Sequence, residues 1–303
     1  MDDSINFVKD LVEQTKHLHT EKTRFNRTEK DLYKDPNLDL NDPGGLPPII
    51  PGSEFPPQYE LIKRKPLVDK LFRVGDNVLL TAPSKMGKSW FYSTLATSLA
   101  SGDKFLGLEV AKSRVLMIDL ELHKDDAQDR LWSIALAQGL KQVPEDLYLW
   151  SLRSCVYDME TLIEVLQSRL ADLPAMDAIF IDPIYMLEGG GEFDENSNSA
   201  VTEMLRELQA ITKQTGSALL LSHHYRKGNM GRENHIDRAS GAGAFARFPD
   251  SLLTLSHHNE PYHAIMEVTG RSMPQVKARS IKMTPPLIEG SELAVEFKRY
   301  TNG

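Results

Sequence analysis

Residues 81–90 read TAPSKMGKSW. The end of this stretch matches the phosphate-loop pattern, a glycine, four free positions, then Gly-Lys followed by Ser or Thr. Here Ala82 stands at the first glycine position. Pro83, Ser84, Lys85 and Met86 fill the middle, and Gly87, Lys88 and Ser89 complete the pattern before Trp90. The apolar run NVLLT precedes it and a helical pattern, SWFYSTLATSLASG, follows. A loop between a strand and a helix can turn its backbone N–H groups, and those of the helix N-terminus, toward an anion. Residues 82–90 are therefore the expected nucleotide-binding stretch. Lys88 neutralises β- and γ-phosphates and Ser89 holds Mg²⁺. Gly87 lies where backbone must approach phosphate; alanine at 82 is acceptable if its φ is negative.

A phosphate loop needs a second metal-holding carboxylate at the end of another apolar strand. AIFIDPIY offers Asp182 there. The strand after the loop's helix ends RVLMIDLELHKDD and carries Asp119 and Glu121 to the same sheet edge. A carboxylate in that place suits a general base that orients attacking water. Glu121 is the expected base and Asp119 the fallback.

Working outward, the pattern divides at Pro66. Residues 1–45 are polar with a basic stretch, and NDPGGLPPIIPGSEFPP concentrates proline and glycine. Residues 1–60 read as an arm and extended linker, with a short helix near residues 4–18. Residues 61–303 read as one ATPase domain. Its short apolar runs, NVLLTAP, RVLMIDLE, LYLWS, AIFIDPIYML and SALLLSHH, show little alternation. Strands covered on both faces have this character. Helical patterns separate them, so the fold class is α/β, a mostly parallel twisted sheet with helices on both faces. From residue 251 the runs SLLTLSHH, YHAIMEVTG, KARSIKMT and LAVEFKRY are strands alone, read as a terminal antiparallel group.

Composition constrains function. The chain has 303 residues, 41% hydrophobic and 26% charged, an ordinary globular balance. One cysteine excludes a disulfide scaffold and suits a reducing, cytoplasmic setting. No apolar run reaches the roughly 18 residues of a membrane span, so no membrane partner is expected. The net charge of −8 means that any nucleic-acid contact must be local. Two segments at the phosphate-loop edge bear on this. LEGGGEFDENSNS is glycine-rich and acidic, whereas residues 225–248 carry Arg226, Lys227, Arg232, Arg238 and Arg247 against only Glu233 and Asp237. For base stacking the second segment offers Tyr225, Phe245 and Phe248.

The combination of APSKMGKS, the IDLE stretch, AIFIDPI, LLLSHHYRKGN and ASGAGAFARFPD, in this order, resembles the RecA-like superfamily. More closely it resembles the RepA-type and DnaB-type hexameric replicative helicases and their AAA-like ATPase relatives, over residues 66–284. The resemblance implies a RecA-like core that hydrolyses ATP with Mg²⁺, Glu121 as catalytic glutamate and Asp182 as the Mg²⁺ carboxylate. It places His223 and His224 where the family keeps a polar residue that senses the γ-phosphate, and His224 is the expected catalytic member. It implies a homo-hexameric ring around single-stranded DNA, with Arg226, Lys227, Arg232 and Arg238 contacting the phosphodiester backbone. Arg271, in MEVTGRSMP, matches the arginine of a Lys-x-Arg pair that reaches a neighbour's nucleotide. Thr269 stands at the lysine position.

Three functions fit these features to different degrees. A replicative helicase of a plasmid, phage or mobile element leads. A RecA-like switch or recombination and repair mediator without unwinding is the alternative, favoured by the lack of a recognisable primase or helicase N-domain. A binding-only P-loop protein is disfavoured by the intact Glu121 and Asp182 set.

Overall fold

Strand formation follows burial. The runs at 77–82, 115–119 and 178–182 are buried at every position, so both faces of each strand pack on apolar layers and no polar alternation is needed. The computed structural model describes residues 49–56, 64–153, 155, 159–187, 198–224 and 243–298. Within them, strands β1 (Pro66–Val68), β2 (Phe72–Arg73), β3 (Asn77–Ala82), β4 (Val115–Asp119), β5 (Leu147–Ser151), β6 (Ala178–Asp182), β7 (Ala218–His224), β8 (Ser251–His257), β9 (His263–Gly270), β10 (Val276–Thr284) and β11 (Leu287–Gly290) alternate in their first part with helices. The helices are α1 (Lys88–Ser101), α2 (Lys124–Ala137), α3 (Met159–Asp172), α4 (Asn198–Thr215) and the short α5 (Gly243–Arg247).

β1 and β2 form a small antiparallel ribbon. The main sheet has the order β11-β10-β9-β8-β3-β7-β6-β4-β5. The six strands from β8 to β5 are mutually parallel, and β9, β10 and β11 continue the sheet antiparallel. One apolar layer joins Phe91, Tyr92, Leu95 and Leu99 of α1 to Leu131 of α2, Leu80 and Phe180. The opposite layer joins Leu162 and Leu166 of α3, Val201 and Leu208 of α4, and Phe245 of α5 to Leu79, Ile179 and Leu221. Successive strand residues thus enter opposite layers, as the two-residue side-chain period requires. Because β3, β4, β6 and β7 run parallel, their C-terminal ends meet at one edge.

Three sequence expectations need correction. The run SLLTLSHH is not antiparallel to its sheet neighbour on the phosphate-loop side: β8 pairs parallel with β3 and inserts directly beside the P-loop strand. Residues 293–298 of the LAVEFKRY run do not form a strand. The last ladder strand is instead β11, which pairs with β10 from Thr284↔Leu287 to Ile281↔Gly290. Residues 293–298 leave the ladder and cross to the end of β8, where they make the isolated bridge His258↔Phe297, with Lys298 N–H donating to His257 O at 3.0 Å and Asn259 N–H to Glu296 O at 3.1 Å. Leu293, Val295 and Phe297 are exposed, since no free sheet face remains for their alternating pattern. Finally, residues 225–248 read from the sequence as one loop, but their end, Gly243–Arg247, forms the short helix α5. Residues 49–56 are exposed around one 3-10 turn, Gly52–Glu54; the expected helix near residues 4–18 lies outside the described residues.

Candidate nucleotide site

β3 delivers the phosphate loop. Ala82, its last residue, is fully buried and is not among the residues with positive φ. The substitution of alanine for the first glycine is thereby accommodated. The left-handed conformations fall later, at Lys85 (φ 62) and Gly87 (φ 91). Gly87 is also the residue before α1, and a Cβ there would come within 3.0 Å of Met283 Cε from β10. The left-handed backbone favours glycine at 87, and the flexible end of Met283 would have to shift to admit a side chain there.

Lys88 begins α1 and is buried, with 5% of its surface exposed. Its Nζ donates to His224 Nδ1 at 2.5 Å. Burial lowers the Lys88 pKa to about 8, against the opposing pull of Asp182 and Glu121. Burial, then the Lys88 charge, lowers His224 to about 4. The pair is a charged lysine donating to a neutral imidazole at neutral pH. His223, one residue earlier, stacks on Phe245 in the opposite layer, with ring centroids 4.1 Å apart. His224 is the histidine that meets Lys88 of the loop. Phe245, fully buried, is unavailable for stacking a nucleobase.

Asp182 closes β6 in register with Asp119 at the end of β4. It is buried and accepts hydrogen bonds from the Ser222 and Ser89 hydroxyls. Burial raises its pKa, aided by Asp119 and opposed by those hydroxyls and by Lys88. A serine hydroxyl facing a carboxylate supplies hard oxygen donors of the kind Mg²⁺ takes, so Ser89 and Asp182 fit the metal. Asp119 has another task. Its Oδ1 accepts the N–H groups of Glu121 at 2.9 Å and Leu122 at 2.7 Å, shaping the turn that carries Glu121 past the strand end. Glu121 is exposed and close enough to act electrostatically on Lys88.

Two expectations remain apart from this cluster. Arg271 follows β9 at the opposite edge of the sheet. Its backbone N–H reaches Asp250 O at 2.8 Å, its guanidinium donates to Arg247 O at 2.5 Å, and Asp250 Oδ1 lies 3.7 Å away. That level matches the start of β3, about 17–20 Å of strand from the loop at roughly 3.3 Å per residue. Arg271 cannot reach its own chain's phosphate site. Arg226, Lys227, Arg232 and Arg238 lie outside the described residues.

One residue is not evident from the sequence. Arg130 of α2 lies over the Trp90 ring, its Cζ 4.7 Å from the ring centroid. Burial lowers its pKa, opposed by the charges of Asp119, Asp182, Glu121 and Asp126. The motifs alone offer no second cation within the chain's own set; Arg130 is a second cation, and the charges of Asp182 and Glu121 act on it as they do on Lys88. A signal existed in the pattern. Ala127, Leu131, Ile134 and Ala135 are the buried stripe of α2, and Arg130 is the charged residue that falls within it.

A family model described as an AAA domain matches residues 57–230. The chain belongs to the AAA domain family. Among solved structures, this AAA domain protein is similar to one described as an ATPase domain, with 14% identity and a TM-score of 0.56, over 73% of this chain and 86% of that one. It is also similar to a DnaB-like replicative helicase described with its interactions with primase, with 14% identity and a TM-score of 0.54, over 70% of this chain and 57% of that one. These likenesses establish a RecA-like P-loop ATPase fold resembling DnaB-type helicases. No curated protein matches the sequence. Among the described residues, no helix is long and apolar enough to cross a membrane.

Proposed function

We propose that the protein hydrolyses ATP with Mg²⁺ and spends the energy as a motor on single-stranded DNA, as a replicative helicase of a plasmid, phage or mobile element. One observation carries the reading: Lys88, Ser89, Asp182, Glu121 and His224 converge at the C-terminal edge of a parallel sheet. Residues 82–90 bind the triphosphate through backbone N–H groups and the α1 N-terminus. Lys88 exchanges its bond to His224 for phosphate oxygens. Ser89 and Asp182 hold Mg²⁺, which when bound neutralises charge on the phosphates. Glu121 orients water and takes its proton as the water oxygen bonds the γ-phosphorus. The bond from that phosphorus to the β–γ bridging oxygen breaks, leaving ADP and inorganic phosphate.

The lysine–histidine bond suggests how the site reports its state. His224 ends β7, immediately before the segment that bears Arg226, Lys227, Arg232 and Arg238. Phosphate arrival frees His224, the last residue of β7, from Lys88. Those four side chains bind the phosphodiester backbone, and Arg271 of a neighbour in a hexameric ring reaches the site it cannot reach in its own chain.

The test is ATP turnover with and without single-stranded DNA, on samples of measured molecular mass. DNA-stimulated turnover by a hexamer is expected, with oligonucleotide affinity falling steeply with salt and little affected by sequence. Turnover without any DNA or RNA binding at low salt would leave the non-unwinding switch as the function. For the ring, Arg271→Ala and Lys88→Ala proteins, each inactive, regain partial activity when mixed; a mixture that stays inactive removes the trans role.

A further inference from the structure

The nucleotide edge contains two cations in different states, Lys88 buried and Arg130 half-buried. Lys88 Nζ has an acceptor in the protein, His224 Nδ1. Arg130 does not use all of its donors: its Nη1 is buried with no hydrogen-bond partner. A guanidinium N–H removed from water without an acceptor is costly, and native structures rarely retain one without a reason. The helix is arranged to keep this group in place. Ala127, Leu131 and Ile134 fix α2 on the core, and the Trp90 ring supports the guanidinium plane at 4.7 Å. Trp90 is the residue directly after Ser89, so the stack ties Arg130 to the phosphate loop itself. The carboxylates acting on Arg130 include both that act on Lys88, Asp182 and Glu121. The two cations therefore border one anionic cluster, Lys88 from the β7 side and Arg130 from the β4–α2 side, where Glu121 also lies.

We propose that Arg130 is a transition-state cation supplied by the same chain, with Nη1 donating to a γ-phosphoryl oxygen. The proposal rests on the ATP-hydrolysis reading. Its chemistry is that of a planar, permanently charged fork, suited to the charge that spreads over the equatorial oxygens as the bond to the leaving ADP breaks. Arg130 takes no proton and forms no covalent bond; Glu121 remains the group that receives the proton of water. A cation already present in the chain supplies part of that stabilisation, and turnover still requires the rest from a neighbour. Any arginine from a second subunit adds to it.

The γ-phosphoryl contact separates this role from that of a mere partner for the carboxylates, because ADP lacks the group. The full-length wild type, Arg130→Ala, Arg130→Lys and Lys88→Ala proteins are compared for Mg²⁺-dependent binding of ADP and of an imido-bridged, non-hydrolysable ATP analogue, and for ATP turnover. Arg130→Ala is expected to weaken the ATP analogue by about tenfold or more, to change ADP affinity less than about twofold, and to lower turnover on the order of 100-fold. Arg130→Lys keeps the charge but not the fork, and retains the same ATP–ADP split to a smaller degree. If Arg130→Ala does not fold, the lysine protein carries the test. Equal losses for ADP and the ATP analogue, or no loss for either, overturn the Arg130 role while the ATP reading stands. A wild-type protein that binds neither nucleotide overturns both.

Discussion

The two ends of the parallel strands are built from similar residues and behave differently. At the N-terminal ends, charged groups find each other. Asn77 N–H and its side-chain amide donate to Asp250 Oδ2, Arg114 N–H donates to Asp177 Oδ2, and Arg271 is tied to Asp250 and Arg247. At the C-terminal ends, Lys88 and His224 both have depressed pKa values and Arg130 retains a buried donor without an acceptor. The difference separates polar groups that hold the sheet from polar groups kept for a ligand. The pairs named for the first kind are closed within the protein, although Ser251 Oγ at the same edge is buried without a partner. The second bear a desolvation cost that the isolated fold does not recover.

The comparison breaks most visibly if a C-terminal-edge residue proves to be scaffold. Glu121→Gln is expected to bind ATP as the wild type does and to lose on the order of 100-fold in turnover, as removal of a positioned base does. Binding and turnover measured on one sample check it. Normal turnover would move the base elsewhere, although Asp119 is an unpromising substitute with Oδ1 already accepting two backbone N–H groups.

The opposite edge gives the converse experiment. Asp250→Ala leaves Asn77 N–H without its acceptor and is expected to cost about 1–3 kcal/mol of stability, with ATP affinity unchanged. Denaturant unfolding and a nucleotide titration measure the two quantities. A loss of affinity would show that the edges are coupled.

The smallest effect is the pH dependence of the Lys88–His224 pair. His224 titrates near 4 when folded against 6.5 ordinarily. Between those values the unfolded chain holds the extra proton, so stability declines as pH falls through about 6.5 to 4. Lys88, near 8 against 10.5, makes stability rise with pH between those two values. His224 is only about half-buried, which keeps its contribution modest. His224→Gln should flatten the acidic limb of Tm against pH; an unchanged limb would assign it to other groups.

What was legible in the sequence follows the same physics. β3, β4 and β6 are enclosed on both faces, so their apolar runs could mean little else, and their ends placed Lys88, Ser89, Asp119 and Asp182 without further information. Residues 293–298 misled because alternation reports a half-buried strand only when a sheet face is available, and β11 takes that edge. Which of two adjacent histidines meets the phosphate loop depends on strand register. Arg130 depends on how α2 packs against α1, a contact between Trp90 and Arg130, far apart in sequence. Neither is a property of a local pattern, although a charge within an apolar helical stripe was a usable sign.

The central claim is that the edge formed by β3, β4, β6 and β7 is a nucleotide site organised around Lys88. Titration of the wild type and Lys88→Ala with ATP and Mg²⁺, with both proteins shown to be folded, tests it most directly. Saturable binding by the wild type that is lost in Lys88→Ala is the predicted result. A wild type that does not bind ATP, or a Lys88→Ala protein that binds it equally well, would contradict the account.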